Sequence, residues 1–287
     1  MKIFRIKSYC KINLFLRVVR KLNNNYHEII SLITFCDLYD VISISKTSSP
    51  KDKVSFSGRF KDGIDNKSNT ITKALNLLRK VKLLGKQSYK INIQKNIPHG
   101  SGLGGGSANA ASLINYFNSR SKIKLNNKKI NKIANKVGSD ALITLKKKNT
   151  FLVGKKKKIL RFNKKFRLNL LIVYPNLICS TKKIYQKNKQ LSSLRPRPYA
   201  CLKNKKKLII FLKNEKNDLE RIVLKIYPKI KKIIDFIRTQ KGCYFSRITG
   251  SGSACIGIFS NMKNAINAKK LIKLKYPKYW CVVSKTI

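Results

Sequence analysis

The sequence predicts an α+β protein in two halves. Three observations carry that expectation. Segments with the two-residue period of strands are mixed with segments of helical period in each half. A lysine-crowded, poorly patterned stretch, Lys146 to Arg167, lies between the halves. Apolar residues make up 43% of 287, enough to bury a substantial core. Placing the boundary inside the lysine-crowded stretch gives parts 1–158 and 159–287.

Taken in order, Ile6, Ser8, Cys10, Ile12, Leu14 and Leu16 fall on one side of an N-terminal strand, with Tyr9, Lys11 and Asn13 on the other. Further strands are expected at Asp40–Ser45 and Tyr89–Gln94. Helices are expected over Asn69–Lys80, from near Ser107, and over Ile130–Val137, where Gly138 ends the last. After the boundary come a buried-type strand at Leu168–Tyr174 and a polar, lysine-rich connection. From Leu219 to Thr239 the residues Leu219, Ile222, Val223, Ile226, Ile230, Ile233, Ile234 and Ile237 recur at helical spacing, and Pro228 divides two helices. A strand at Ala254–Phe259, a helix near Asn264–Lys275 and a strand near Tyr279–Lys285 complete the pattern.

The net charge is +54, from 65 basic and 11 acidic residues. Clustered Lys and Arg bind phosphate backbones by releasing counterions. Here the lysines run from Lys2 to Lys285 alongside heavy Asn, Ile and Tyr usage, which is the mark of an AT-rich coding sequence; no specific nucleic-acid partner is expected. The seven cysteines are scattered and never spaced C-x-x-C, which argues against disulfide frameworks and zinc sites and for a reducing compartment. No apolar run approaches the ~20 residues of a membrane span, so no membrane partner is expected. Organised sequence begins by Ile6, so a leader peptide is not expected. The expected setting is the bacterial cytoplasm of an AT-rich symbiont, or a plastid-type organelle for a processed chain, with a monomer or weak homodimer.

Five glycines occupy the seven positions from Gly100 to Gly106, immediately before a run of small helix formers. Gly100, Gly102 and Gly105 satisfy the dinucleotide pattern G-x-G-x-x-G, but no carboxylate stands between Asp65 and Asp140 to hold a ribose. A Walker loop needs Lys after its last glycine, and Ser107 stands there. His27 and His99 are the only histidines, and neither is followed by the Arg-Asp of a protein kinase. What remains is a backbone bare enough to approach a polyanion at a helix N-terminus. A tight turn alone needs one or two glycines. The second glycine cluster, Ile248 to Phe259, reads either as a hairpin turn or as a second lobe facing the same ligand.

With 11 carboxylates, a base can be sought by elimination. Asp37, Asp40, Asp52, Asp62 and Asp65 are read in or beside polar loops, Glu215 and Asp218 at a helix start, and Glu220 and Asp235 on helix surfaces. Asp140 differs: it follows a helix stop and precedes an apolar segment. Near a new helix N-terminus it would stay ionised and could orient or accept a hydroxyl proton, or else serve as an N-cap. Lys11 shares a strand face with Asn13, where an ammonium needs a partner unless it snorkels to water.

Four stretches, "YCKINLFL", "PHGSGLGGGSANAA", "GSDALI" and "ITGSGSACIGIF", resemble in order and spacing the motifs of the GHMP small-molecule kinases. "NYHEIISLITFCDLYD", "SNTITKALNLL" and "NDLE" extend the resemblance over nearly the whole chain, toward the branch that phosphorylates a cytidyl methylerythritol. The resemblance implies a ribosomal-protein-like N-terminal domain and a ferredoxin-like C-terminal domain, with the active site between them. It implies ATP and Mg2+ as cofactors and a cytidine diphosphate derivative as substrate, phosphorylated on its 2-hydroxyl in the non-mevalonate route to isoprenoid precursors. Pro98, His99, Gly100, Ser101, Gly102, Leu103, Gly104, Gly105, Gly106, Ser107 and Ala108 would hold ATP, with Ser107 near the metal. Asp140 would be the base, and Lys11 would polarise the hydroxyl or steady Asp140. Asn13 and Thr181 would border the methylerythritol, Tyr26, His27 and Tyr185 would meet the cytidine, and Gly250, Ser251 and Gly252 would line the substrate side. A homoserine, mevalonate or galactose kinase, or a basic nucleic-acid binder, are the alternatives.

Overall fold

The computed structural model describes residues 2–22, 27–153, 158–193, 202 and 204–287. It is α+β, as expected. Two compact units divide the chain: Met1–Lys11, Leu38–His99 and Gly104–Lys147 form the first, and Ile12–Asp37, Gly100–Leu103 and Lys148–Ile287 the second. Both draw on β1 (Phe4–Lys21) and β2 (His27–Thr47), long strands that pair with each other. The expected one-sided alternation in β1 holds only to Tyr9. From Cys10 to Val18 every side chain is buried, so both faces of that stretch are packed.

In the first unit follow β3 (Lys53–Ser57), α1 (Thr70–Lys80), β4 (Ser88–Gln94), α2 (Gly105–Arg120), α3 (Asn127–Val137) and α4 (Ser139–Thr144). β4 runs antiparallel to β2, from Val41 opposite Gln94 to Thr47 opposite Ser88, and parallel to β3. A parallel pair needs a crossover, and α1 supplies it. Its N-cap is Asn69, whose side chain accepts from Ile71 N and Thr72 N. The helix buries Ile71, Ala74, Leu75 and Leu78, one stripe at helical spacing. That stripe joins Ile42 and Ile44 of β2, Ile91 and Ile93 of β4, and Ala110, Leu113, Ile114 and Phe117 of α2 in one core. Each Ile, Leu or Phe side chain among them contributes roughly 1.5–3 kcal/mol of transfer free energy.

The second unit continues through β5 (Asn149–Val153), β6 (Lys158–Phe162), β7 (Asn169–Tyr174), α5 (Thr181–Lys187), α6 (Lys205–Asn214), α7 (Glu220–Ile226), α8 (Lys229–Arg238), β8 (Cys243–Ile248), β9 (Cys255–Phe259), α9 (Met262–Lys275) and β10 (Trp280–Lys285). An antiparallel sheet in the order β10-β7-β9-β8 is packed by α8 and α9. Ile230, Ile233, Ile234 and Ile237 of α8 meet Ala265, Ala268 and Ile272 of α9, with Leu171, Val173 and Phe259 from the sheet. Pro228 stands immediately before α8, where its missing N–H costs nothing, and so separates α7 from α8.

Two expectations about local structure fail here. The lysine-crowded stretch read as poorly patterned contains β5 and β6. β5 pairs with β2, Ser31 lying opposite Leu152, and with β6, Asn149 opposite Phe162, so pairing rather than local pattern makes these strands. The polar connection after Tyr174 contains α5 and α6, each opened by an Asx- or Ser-type cap, Ser180 and Asn204. Among the described residues no helix is long and apolar enough to cross a membrane.

Candidate active site

The glycine loop leads from β4 into α2. Gly104 is the N-cap residue of α2 and has no side chain to accept from the first-turn N–H groups of Gly105, Gly106 and Ser107. The helix therefore starts two residues earlier than the sequence suggested and presents bare donors at the positive end of its dipole, a cradle suited to phosphate. Gly104 has φ 68°, and a Cβ there would stand 2.7 Å from Lys11 Cγ and 2.8 Å from Lys11 Cε. At Gly102, φ 81°, a Cβ would collide with the Thr249 carbonyl oxygen. Those glycines are required by backbone conformation and by close approach. Ser101 O accepts from Ala254 N at 3.0 Å and Gly100 O from Cys179 N at 3.0 Å, holding that part of the loop to the second unit. Pro98, Leu103 and Ala108 are buried packing positions. A His99 ring nitrogen lies 3.2 Å from the Asp62 carbonyl oxygen, and burial, then the Lys95 charge, lower its pKa.

Lys11 and Asp140 come together in the first unit, Nζ to Oδ2 at 3.3 Å, with the lysine side chain 5% exposed and the aspartate 40%. Lys11 does not snorkel; its stem passes Gly104 and its ammonium meets a carboxylate open to solvent on one side. Asp140 is not an N-cap. Gly138 fills that place, and Asp140 stands in the first turn of α4. The same helix reaches the loop through Thr144, whose hydroxyl lies 3.3 Å from the Ser107 carbonyl oxygen. Thr70 Oγ1 donates to the Gly106 carbonyl at 2.9 Å. Base candidate, cation and phosphate cradle thus share one set of supports.

The sequence reading missed the buried hub beneath the loop. Asp40, read at the start of a strand beside a polar loop, is fully buried within β2. Its carboxylate pairs with Lys95 Nζ and accepts from Asn96 N at 2.7 Å, Ile97 N at 2.9 Å and Asn109 Nδ2 at 2.9 Å. It ties β2 to the end of β4, to the approach of the glycine loop and to the second turn of α2. A signal existed: Leu38, Asp40, Ile42 and Ile44 are in phase on one strand face, and an aspartate in phase with core residues needs partners.

In the second unit, Asn13 N donates to Thr249 Oγ1 at 2.9 Å and Asn13 Nδ2 to Ser31 Oγ at 2.8 Å. Thr181 and Ser251 hydroxyls are 2.9 Å apart. The His27 and Tyr185 rings lie 5.2 Å apart, tilted by 38°. Burial, then the Lys21 charge, lower the His27 pKa, favouring the neutral ring. Tyr26 lies outside the described residues. The second glycine cluster is the hairpin turn between β8 and β9. Its backbone is held by Asn217, whose Nδ2 donates to Ile248 O at 3.1 Å and Gly250 O at 2.8 Å. Three carboxylates move from their expected places. Glu215 does not open a helix; it ends α6 and takes two bonds from Arg17, at 2.6 and 2.7 Å. Glu220 is not a surface residue: it accepts from Ile248 N at 2.8 Å, and burial raises its pKa. Asp37 is exposed but lies in β2 rather than a loop. Among the described residues no three His, Cys, Asp or Glu side chains gather as a metal site.

A glycine cradle at a helix N-terminus with an adjacent Lys–Asp pair, all within the first unit, is an arrangement suited to phosphoryl transfer. The chain belongs to the GHMP kinase family: residues 69–146 match the GHMP kinases N terminal domain and residues 201–277 the GHMP kinases C terminal domain. It is 39% identical over 289 residues to 4-diphosphocytidyl-2-C-methyl-D-erythritol kinase of Pelagibacter ubique, covering 100% of both chains. To the Caldanaerobacter subterraneus protein of that name it is 34% identical, covering 99% of this chain and 96% of the other. Among solved structures, a 4-(cytidine 5'-diphospho)-2C-methyl-D-erythritol kinase superposes with TM-score 0.77 at 21% identity, covering 99% of this chain and 100% of that one. Homoserine kinase from Cytophaga hutchinsonii gives 0.73 at 13%, covering 100% and 95%. These two likenesses show the fold, which is that of the GHMP kinases. Kinase membership implies ATP as phosphoryl donor.

Proposed function

We propose that this chain transfers the γ-phosphoryl group of ATP to the 2-hydroxyl of 4-diphosphocytidyl-2-C-methyl-D-erythritol, giving the 2-phosphate and ADP. The observation that carries the chemistry is the Lys11–Asp140 pair, 3.3 Å apart and linked through α4 to the glycine cradle. Full-length relatives named for that kinase support the acceptor. Phosphoryl transfer asks a protein for positioning and charge stabilisation rather than covalent help. The uncapped N–H groups of Gly105, Gly106 and Ser107 would bind phosphate oxygens. Asp140, open to solvent, would accept the proton of the acceptor hydroxyl as the O–P bond forms and the bond to ADP breaks. Lys11, nearly buried, would hold Asp140 oriented. Bound with ATP, Mg2+ would supply charge neutralisation on the phosphates, with Ser107 the side chain proposed beside it, since this ion keeps several waters and needs few protein ligands. The neutral His27 ring and Tyr185 would meet the cytosine by stacking and hydrogen bonding, and Asn13, Thr181 and the turn Gly250–Gly252 would border the methylerythritol.

The aromatic pair favours a nucleobase-bearing acceptor over homoserine, mevalonate or galactose. ADP release with Mg-ATP and each of these four acceptors tests the proposal. Turnover is expected with the cytidyl compound alone, and Asp140→Asn should lower kcat by at least ~100-fold while ATP binding persists. Turnover with another acceptor only would overturn the substrate; undiminished turnover in Asp140→Asn would overturn the base.

A further inference from the structure

The second unit contains a cavity of about 380 Å³ that the proposed reaction does not use. Its wall carries Lys213, Lys216, Arg238 and Arg247, against the carboxylates Glu215 and Glu220. Glu215 is already claimed by the two bonds from Arg17. Arg247 is nearly buried: it donates to Leu14 O at 3.2 Å and Leu212 O at 2.7 Å, two of its five N–H groups, and its guanidinium lies 4.2 Å from the Phe245 ring centroid. Tyr244 forms a further wall, with Lys213 Nζ 5.6 Å from its ring centroid. A concavity lined by a buried guanidinium, by Lys213, by Lys216 and Arg238 (3.9 Å from Asp218 and 3.8 Å from Asp235, respectively), and by an aromatic wall suits a small phosphate- or diphosphate-bearing molecule.

Two residues of this wall also hold the glycine turn. Asn217 donates to the carbonyls of Ile248 and Gly250, and Glu220 accepts from Ile248 N. Beyond them the turn reaches Asn13 through Thr249 and Thr181 through Ser251. We propose that this cavity is an effector site for a small phosphate- or diphosphate-bearing anion, and that its occupancy fixes the turn Ile248–Ala254 through Asn217 and Glu220. Binding and turn fixation stand without the kinase reading; only the consequence, tighter acceptor binding at Gly250–Gly252, rests on it.

Calorimetric titration of the full chain with inorganic pyrophosphate tests this, at constant ionic strength and with a saturating non-hydrolysable ATP analogue on the glycine loop. Saturable 1:1 binding is expected, weakened at least tenfold in Lys213→Gln/Arg238→Gln. Both of those side chains lie outside the proposed reaction machinery. Hydrogen exchange of residues 248–254 should slow several-fold on adding pyrophosphate to the wild type and stay unchanged in the double variant. Phenyl phosphate binding more tightly than inorganic phosphate would assign an organic ligand through Tyr244; equal affinity would assign an inorganic one. Absence of saturable binding, equal binding in the double variant, or binding without slowed exchange in residues 248–254 would each overturn the proposal. A chain inactive on all four acceptors that still binds pyrophosphate and slows exchange would overturn the substrate reading and leave this one standing.

Discussion

Replacing Asp40 with Asn removes a charge from the centre of four hydrogen bonds while keeping the side chain's shape. Asp40 Oδ1 accepts from Asn96 N and Ile97 N, and Oδ2 from Lys95 Nζ and Asn109 Nδ2. An amide can keep the first two bonds, but its NH2 then faces two donors. The Lys95 ammonium, with its side chain 2% exposed, loses its countercharge. Removing one partner of a buried ion pair costs about 3–5 kcal/mol, a large part of the ~5–15 kcal/mol that holds a domain folded. Adding Lys95→Met deletes the stranded charge while a flexible apolar chain fills its space. Asn109 Oδ1 is buried without a hydrogen-bond partner. An amide flip would aim it at the new NH2. The double variant Asp40→Asn/Lys95→Met should therefore return to within ~1–2 kcal/mol of wild type, a coupling energy of at least ~2 kcal/mol. Because opening can be local to one part of a structure, hydrogen exchange at Ile91 and Ile93, core amides of the first unit, is the measurement to make. A single Asp40→Asn within ~1 kcal/mol of wild type, or a double variant as unstable as the two singles added, would refute the electrostatic account.

Gly104→Ala puts a methyl group where the Lys11 stem passes and imposes a left-handed backbone on a residue with Cβ. The expected outcome is a loss of ~1–2 kcal/mol in stability and a fall in kcat of at least ~tenfold, as Lys11 is pushed from Asp140; the check is kcat against melting temperature. His27 and His99 both have pKa values lowered from 6.5, chiefly by burial. Their neutral forms are favoured by folding, so that contribution is fully present above pH 6.5 and is lost as pH falls through the lowered values. Proton NMR should show two imidazole titrations, both below 6.5, and the urea midpoint should decline over the same window. The exposed Asp37 and the bonded Asp218 form a contrast: Asp37→Asn should change stability by no more than ~0.5 kcal/mol. Asp218→Ala, which strands Val18 N and the Ser192 hydroxyl, should cost ~1–3 kcal/mol. Urea denaturation separates the two.

The helices and strands with long apolar periods were legible in the sequence because their cores are built from local repetition, as in Ile71–Leu78 and Ile230–Ile237. β5 and β6 were not, because each is five residues long; β5 owes its strand to β2, far off in sequence, and β6 owes its own to β5. The glycine loop was legible because no other residue could occupy positions such as Gly102 and Gly104, and Asp140 because so few carboxylates compete with it. The scarcity that made elimination attractive also explains where it failed. In a chain of net charge +54 the carboxylates that remain are mostly those with fixed partners. Asp40 has Lys95, Asp52 has Arg79, Glu215 has Arg17, Asp218 has Val18 N, and Glu220 has Ile248 N. Lysines accumulate where an ammonium costs little, at solvent, whereas an aspartate lost from beneath buried N–H groups leaves donors unsatisfied. Each acidic residue in so basic a chain is therefore better read first as an anchor. The catalytic candidate is the anchor that stays open: Asp140, held by Lys11 on one side and facing solvent on the other.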